Sequence, residues 1–513
     1  MNKWMARIVA IILLLAIISC SLFGVGNPLL GKWYLAKATG PGGVLTDIEF
    51  LDDSKVLVNV GTILGSRIVL CKYSLLDNSH LVLECENDLD KTVFSYKISG
   101  DELTLESGSL RGTLTYTKKQ PTPTPTPTPR PTPTPRPLIT VVSDLPMTGS
   151  SLGQTQTIVN AITQAFESKG NKVCDGKWTI IYKPYDDASA ARGAWDPEVV
   201  TKNAREYAAN TNIVLVIGTF NSGAARLMIP ILNPENLVMV SPGNTYPGLT
   251  KPGKGEKDEP DKYYPNKTRN YSRVVPANDV QGAVGAKWAK DLGAKSVYIL
   301  DDQELYGKGI ADVFEKSAKD GGLNVLGHEG IDGKAADYKA LATKINDKKP
   351  DLVYFGGITQ NNAGQLFKDI RNVGFKGLLM GPDGIYEEAF VKAAGDASEN
   401  VYVTFGGLPV DKYTGKAAEW RDAYKTKFKS DPEVYAVYGY VAAQVAMDAF
   451  ERVCKNGKAL TDRAAVREAV FATKDLDSVL GKFSLDANGD TTDTTSSGIQ
   501  IKKGKFEFVT PLK

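Results

Sequence analysis

Every second residue from Pro121 to Pro137 is proline, with threonine between and arginine at 130 and 136. Proline has no amide hydrogen to give a helix or sheet and holds its own φ near −65°, so this tract has no means of building a core. It favours extended polyproline II at about 3.1 Å per residue, which makes it a spacer able to hold two folded parts roughly 50 Å apart. The 513-residue chain is therefore two separate folding problems, one on each side of a linker at 119–137.

Beyond the linker, apolar strands alternate with amphipathic helices. Leu138-Ile139-Thr140-Val141-Val142 is followed by a helical stretch with Ile158, Ile162 and Phe166 in register, then by Trp178 to Tyr182. The same rhythm returns at Ile213 to Ile217, Leu237 to Val240, Ser296 to Leu300, Leu352 to Phe355 and Leu378 to Met380. Alternation of this kind predicts parallel sheets covered on both faces. There are too many units for one compact sheet, so the fold class expected is α/β with two doubly wound Rossmann-like lobes. Lobe 1 is expected at about 138–273 and 406–477, and lobe 2 at about 274–405 and 478–513. A ligand would lie in the crevice beyond the carboxyl ends of the strands.

Before the linker, residues 27–118 carry short strand-like runs such as Ile48 to Leu51, Thr92 to Ile98 and Leu103 to Leu105, broken by Asp-Asp, Asp-Asn-Ser and Ser-Gly-Asp turns. The pattern predicts a small antiparallel β-barrel-like domain. Its opening Gly31-Lys32-Trp33 and regular hairpins resemble a lipocalin-like β-domain, with Trp33 as a core plug at the barrel base. Cys71 and Cys85 flank the turn at Asp77-Asn78-Ser79 symmetrically, which would set them opposite one another in a hairpin, where a disulfide is possible. For Cys174 and Cys454 the sequence gives no geometry.

At the amino terminus Lys3 and Arg7 precede an apolar run from Ile8 to Ile18, and Ser19-Cys20 follows. The run is shorter than the roughly 20 residues of a spanning helix and reads as a signal peptide over residues 1–19. Ile17-Ile18-Ser19-Cys20 resembles the bacterial lipobox, which implies acylation of Cys20, a tether at 20–26 and an extracytoplasmic protein held on the membrane by lipid. The net charge of +2, from 61 basic and 59 acidic residues, supplies no global field for nucleic acid. Only two histidines occur, His80 and His328, which weighs against histidine-based catalysis or a histidine-rich metal site.

Four strand-to-loop junctions carry small and hydroxyl residues: Thr148-Gly149-Ser150-Ser151, Asn221-Ser222-Gly223-Ala224, Ser241-Pro242-Gly243-Asn244-Thr245 and Gly381-Pro382-Asp383-Gly384. Glycine admits close approach of backbone to ligand, and helix amino termini with hydroxyls receive a carboxylate. Asp383 would offer an anion to an ammonium, and the set would then recognise a zwitterion.

From about residue 138 to the end the chain resembles the leucine/isoleucine/valine-binding family of type I periplasmic solute-binding proteins. Its landmarks are Pro146-Met147-Thr148-Gly149, Gly218-Thr219-Phe220-Asn221-Ser222, Val240 to Thr245, Asp302 to Gly307, Gly381-Pro382-Asp383-Gly384 and Phe483-Ser484-Leu485-Asp486. The resemblance implies that Ser222, the backbone at Gly243 and Thr245 hold a ligand carboxylate. It makes Asp383, where family members often have glutamate, the partner of the ammonium. It also implies that Tyr306 closes over the ligand, that Leu152 and Tyr435 line its side-chain pocket, and that the loop Gly357-Ile358-Thr359-Gln360 borders the cleft. No cofactor or metal is expected.

Two motifs point elsewhere. Gly149-Ser150-Ser151-Leu152-Gly153 fits the nucleophile-elbow pattern, yet His328, the one histidine in this region, is placed near a strand of the other lobe. Asp486-Ala487-Asn488-Gly489-Asp490 resembles a calcium loop without its closing glutamate, and a turn suffices. The chain therefore reads as an amino-acid-capturing protein serving an ABC transporter permease, not an enzyme. The alternatives are a receptor component that presents its liganded form to a membrane sensor, and a surface protein that grips glycan through the β-domain.

Overall fold

The computed structural model describes residues 27–39, 45–62, 65–85, 89–107, 112–118 and 137–513. The expected signal peptide, Cys20, the tether and all of the Pro/Thr linker except Pro137 lie outside the described residues. The chain forms two compact units, 1–135 and 136–513.

The first unit is a closed barrel of eight antiparallel strands: β1 (Gly31–Thr39), β2 (Leu45–Phe50), β3 (Lys55–Thr62), β4 (Gly65–Asp77), β5 (His80–Cys85), β6 (Leu89–Ser99), β7 (Glu102–Ser107) and β8 (Gly112–Thr117). Each strand pairs with its neighbour in sequence and β8 closes on β1, so the barrel leaves no free edge. Period-two alternation turns Ile48 and Phe50, Val56 and Val58, Leu81 and Leu83, and Leu103 and Leu105 into one apolar cluster with Trp33, Phe94 and Tyr116. Eight strands enclose a space just wide enough for side chains, and here side chains fill it. Trp33 is fully buried and donates its indole N–H to the Leu29 carbonyl at 2.7 Å. Cys71 and Cys85 face each other across β4 and β5 and form a disulfide.

The second unit contains two doubly wound sheets. The first consists of β9 (Leu138–Leu145), β10 (Lys172–Val173), β11 (Trp178–Asp186), β14 (Ile213–Gly218), β15 (Val238–Ser241) and β16 (Tyr271–Arg273), with a small hairpin of β12 (Ala188–Ser189) and β13 (Ala194–Trp195) beside it. The second consists of β17 (Ser296–Asp301), β18 (Asn324–Gly330), β19 (Leu352–Gly356), β20 (Leu378–Gly381), β21 (Val401–Phe405), β24 (Ser497–Lys502) and β25 (Lys505–Pro511), and β22 (Leu476–Ser478) pairs separately with β23 (Gly481–Phe483). The parallel strands run β11-β9-β14-β15-β16 in one lobe and β18-β17-β19-β20-β21 in the other, the same order twice. Strand order reverses between β9 and β14 and again between β17 and β19, and at such switch points the loops diverge and leave a crevice.

Near-continuous apolar strands explain why both sheets are covered on two faces: β14 is buried at all six positions and β19 at all five. The helix Leu152–Ser168 buries Ile158, Ile162 and Phe166 completely and packs against the helix Ala436–Lys455, which therefore belongs to the first lobe although it follows the second in sequence. A second disulfide, Cys174–Cys454, joins these two parts of the first lobe. Where the chain passes between lobes, Arg273 is fully buried and its Nε donates to Asp490 Oδ1 at 2.7 Å. The Asp486-to-Asp490 segment is a turn, since Asp486 Oδ1 accepts the N–H groups of Asn488 and Asp490. Among the described residues no helix is long and apolar enough to cross a membrane.

Candidate functional site

The loops at the two switch points face each other across a narrow cavity of about 30 Å³. Its walls come from the ends of strands in both lobes. Phe220, Asn221 and Ser222 follow β14, Gly243 follows β15, and Gln154 lies in the helix after β9. Tyr306 follows β17, Ile358 and Gln360 follow β19, Asp383, Gly384 and Glu387 follow β20, and Tyr435 precedes the helix Ala436–Lys455.

The first-lobe wall is built to meet an anion. Ser222 opens the eleven-residue helix Ser222–Leu232; the N–H groups of Ala224 and Ala225 donate to the Asn221 carbonyl, and the start of the helix carries the positive end of its dipole. The Ser222 hydroxyl accepts the Tyr246 N–H at 3.3 Å and is left with a proton to donate. Ser241 shapes the next loop by accepting the N–H groups of Gly243 and Asn244 at 3.2 and 2.8 Å while donating to the Thr219 carbonyl at 2.9 Å. Gly243 is needed there, because a Cβ would sit 2.7 Å from the Phe220 ring. Thr245 is buried with no hydrogen-bond partner for its hydroxyl, an arrangement a folded protein seldom leaves unused.

The second-lobe wall centres on Asp383, which is 6% exposed. Its Oδ1 accepts from Gln281 Nε2 at 2.6 Å and from the Tyr306 hydroxyl at 3.0 Å, and its Oδ2 accepts from the Tyr435 hydroxyl. Tyr306 is itself held by the Gly384 N–H, which donates to the phenol oxygen at 2.9 Å. The Tyr435 bond crosses the cleft, since Tyr435 stands on the first lobe and Asp383 on the second. The lobes also meet where Arg192 lies 4.0 Å from Glu304 and where the Tyr246 ring packs on Gly309. Burial raises the Asp383 carboxyl above its usual value even though Tyr435, Gln281, Tyr306 and its own backbone N–H pull it down. A carboxylate has about four acceptor positions, so one on Oδ2 remains for a ligand cation.

Asp302 braces the remaining loop. Its Oδ1 accepts the Glu304 N–H at 3.0 Å, and its Oδ2 accepts from the Ile358 N–H at 3.1 Å and from Asn361 Nδ2 at 2.8 Å. Ile358 and Gln360 are thereby held at the cavity.

Ser222, Gly243, Tyr306, Asp383 and Tyr435 thus converge on one cavity, and Thr245 lies buried two residues beyond Gly243. Leu152 does not join them. It is 41% exposed, and Gln154 of the same helix lines the cavity instead. Successive helical residues turn by about 100°, so positions two apart look in nearly opposite directions. Tyr435 lines the cavity, and its hydroxyl donates to the Asp383 carboxylate. Sequence reasoning missed Gln154, Gln281 and Glu387, and it named Phe220 and Asn221 only within their motifs without giving them a role. For Glu387 a signal exists in the adjacent pair Glu387-Glu388 beside the Asp383 loop, because neighbours at a helix start rarely share one environment. Glu388 is exposed and Glu387 is 7% exposed. The nucleophile-elbow reading of residues 149–153 finds no base: His328 bonds Glu315 at 2.8 Å and Asp301 at 3.1 Å.

Comparison with known proteins agrees with this architecture. The family model described as periplasmic binding protein matches residues 139–505. A Leu/Ile/Val-binding protein of Rhizobium johnstonii is 27% identical over 369 residues, covering 72% of this chain and 93% of the relative. Among solved structures, a leucine-binding protein of Thermotoga maritima superposes with a TM-score of 0.63 at 22% identity, over 73% of this chain and 99% of its own. A branched-chain amino acid transporter substrate-binding protein of Streptococcus pneumoniae in complex with isoleucine superposes with a TM-score of 0.60 at 22% identity, over 72% and 99%.

Proposed function

The chain belongs to the periplasmic binding protein family, and from that premise we propose that it captures an amino acid, branched-chain or related, by lobe closure and delivers it to an ABC transporter permease. Members of the family are substrate-binding proteins that work outside the cytoplasm. The observation that carries the reading is the pairing of opposite walls. Asp383 stands on one lobe, and the Ser222 helix start, Gly243 and the unpaired Thr245 hydroxyl stand on the other. An α-amino acid fits this polarity, its ammonium at the free position of Asp383 and its carboxylate at the helix terminus. Tyr306 and Tyr435, one from each lobe, close on the same anion and would favour the shut form. Lipid on Cys20 would hold the protein at the membrane, and the Pro/Thr tract would set its reach.

A thermal-shift screen of the mature protein against the twenty amino acids, simple amides and small aromatic acids, followed by calorimetry, tests the ligand class. Tight binding of an aromatic acid without any amino-acid binding would refute it. Cys20→Ala should leave an unacylated precursor, and a mature protein that stays membrane-bound without acylation and with its amino-terminal run removed would refute the anchor.

A further inference from the structure

Once the groups suited to an ammonium and a carboxylate are set aside, the cavity wall that remains is unusual for an aliphatic guest. It sets the polar side chains of Gln154, Asn221, Gln360 and Glu387 into a lining that is otherwise mostly apolar, with Ile358 and the ring of Phe220. Glu387 precedes the helix Glu388–Ala394 yet makes no capping bond to it. It lines the cavity, and its carboxyl accepts from Thr359 and from Gln360 Nε2, the latter at 3.0 Å. We infer that this pocket selects an amino acid whose side chain carries a nitrogen donor, an amide, ammonium or guanidinium, and that Glu387 receives it.

The inference rests on the amino-acid reading above and narrows its side chain. A leucine or valine side chain laid against this wall would strip water from Gln154, Gln360 and Glu387 and give no hydrogen bond in return. A donor would replace that water. Burial holds the Glu387 carboxyl at about 7, and Glu433 is likewise pushed up to about 7, chiefly by burial and further by Glu388 and Glu387. Asp383 and Glu387 are the two carboxyl groups among the residues lining the cavity, and a cationic side chain would stabilise the ionised forms that burial disfavours.

Calorimetry on the mature full chain with glutamine, asparagine, ornithine, lysine and arginine, set against leucine, isoleucine and valine, tests this. The tightest ligand should come from the first group and exceed leucine by about tenfold or more, as a buried hydrogen-bonding group discriminates against an analogue that lacks its partner. Glu387→Gln keeps the size and the Gln360 contact, and it should weaken a basic ligand by about tenfold or more while moving leucine less than about threefold. An equal loss for every ligand would show that Glu387 merely holds the Gln360 loop, and would overturn the inference. Leucine, isoleucine or valine as the tightest ligand, unmoved by Glu387→Gln, would overturn it while leaving amino-acid capture standing. Absence of binding by all eight, from protein with an intact melting transition, would remove both.

Discussion

Replacing Asp383 by asparagine separates the charge of the site from its framework. The asparagine oxygen can still accept from Gln281 and Tyr306, as Oδ1 does now. The amide group would replace Oδ2, opposite the Tyr435 hydroxyl, which can rotate to accept. The fold should therefore lose at most one ordinary hydrogen bond, about 1 kcal/mol. A ligand ammonium loses its only anionic partner at that position, and removing one member of a desolvated charge pair costs about 2–5 kcal/mol, or about 30- to 5,000-fold in affinity. Asp383→Ala is the contrast: Gln281 keeps its bonds to Thr404, but the Tyr306 and Tyr435 hydroxyls lose their acceptor, at about 1–3 kcal/mol for each group left unsatisfied, so it should lower the melting temperature as well. Calorimetry with the best amino acid, run beside thermal melts of both variants, gives the two quantities separately. An Asp383→Asn affinity within about threefold of the parent would show that no ammonium sits there.

Asp490→Asn should destabilise the second unit by about 3–5 kcal/mol, because it leaves the fully buried Arg273 guanidinium without its anion. An unchanged midpoint in chemical denaturation would refute that. The buried Asp144 carboxyl is raised to about 7 by loss of water, so the native state prefers it protonated. Its contribution to stability is full below about pH 4 and is lost as pH rises through about 7, so Asp144→Asn should flatten the fall in stability across that window. Denaturation curves at stepped pH with an unaltered slope would disprove it.

How far the sequence could be read depended on what each feature requires. Parallel strands buried on both faces must be nearly all apolar, so Ile213 to Ile217 and Leu352 to Phe355 announce themselves, and the turn residues at their ends mark the crevice. Ser222, Gly243 and Asp383 were legible because they sit in short ordered motifs at those ends. Leu152 and Gln154 show the limit: both lie just past a strand end, and only the rotation of the helix decides which one looks inward. Gln281 reaches Asp383 from 102 residues away, a contact no local pattern encodes. The barrel's hairpins could be traced from local turns, whereas its closure was expected only through the lipocalin-like resemblance, since the pairing of β1 with β8 joins the two ends of the domain.

The bond between Cys174 and Cys454 makes a covalent ring of the intervening chain, with a separation of 280 residues, and that ring contains β17 to β21 of the second lobe. A protease that cuts once within the ring converts it to a branched molecule and releases no fragment until the disulfide is reduced. The ring also sets an order of maturation during export, because the first lobe cannot be sealed until the chain has emerged through residue 454. By then the parallel strands of the second lobe have already crossed.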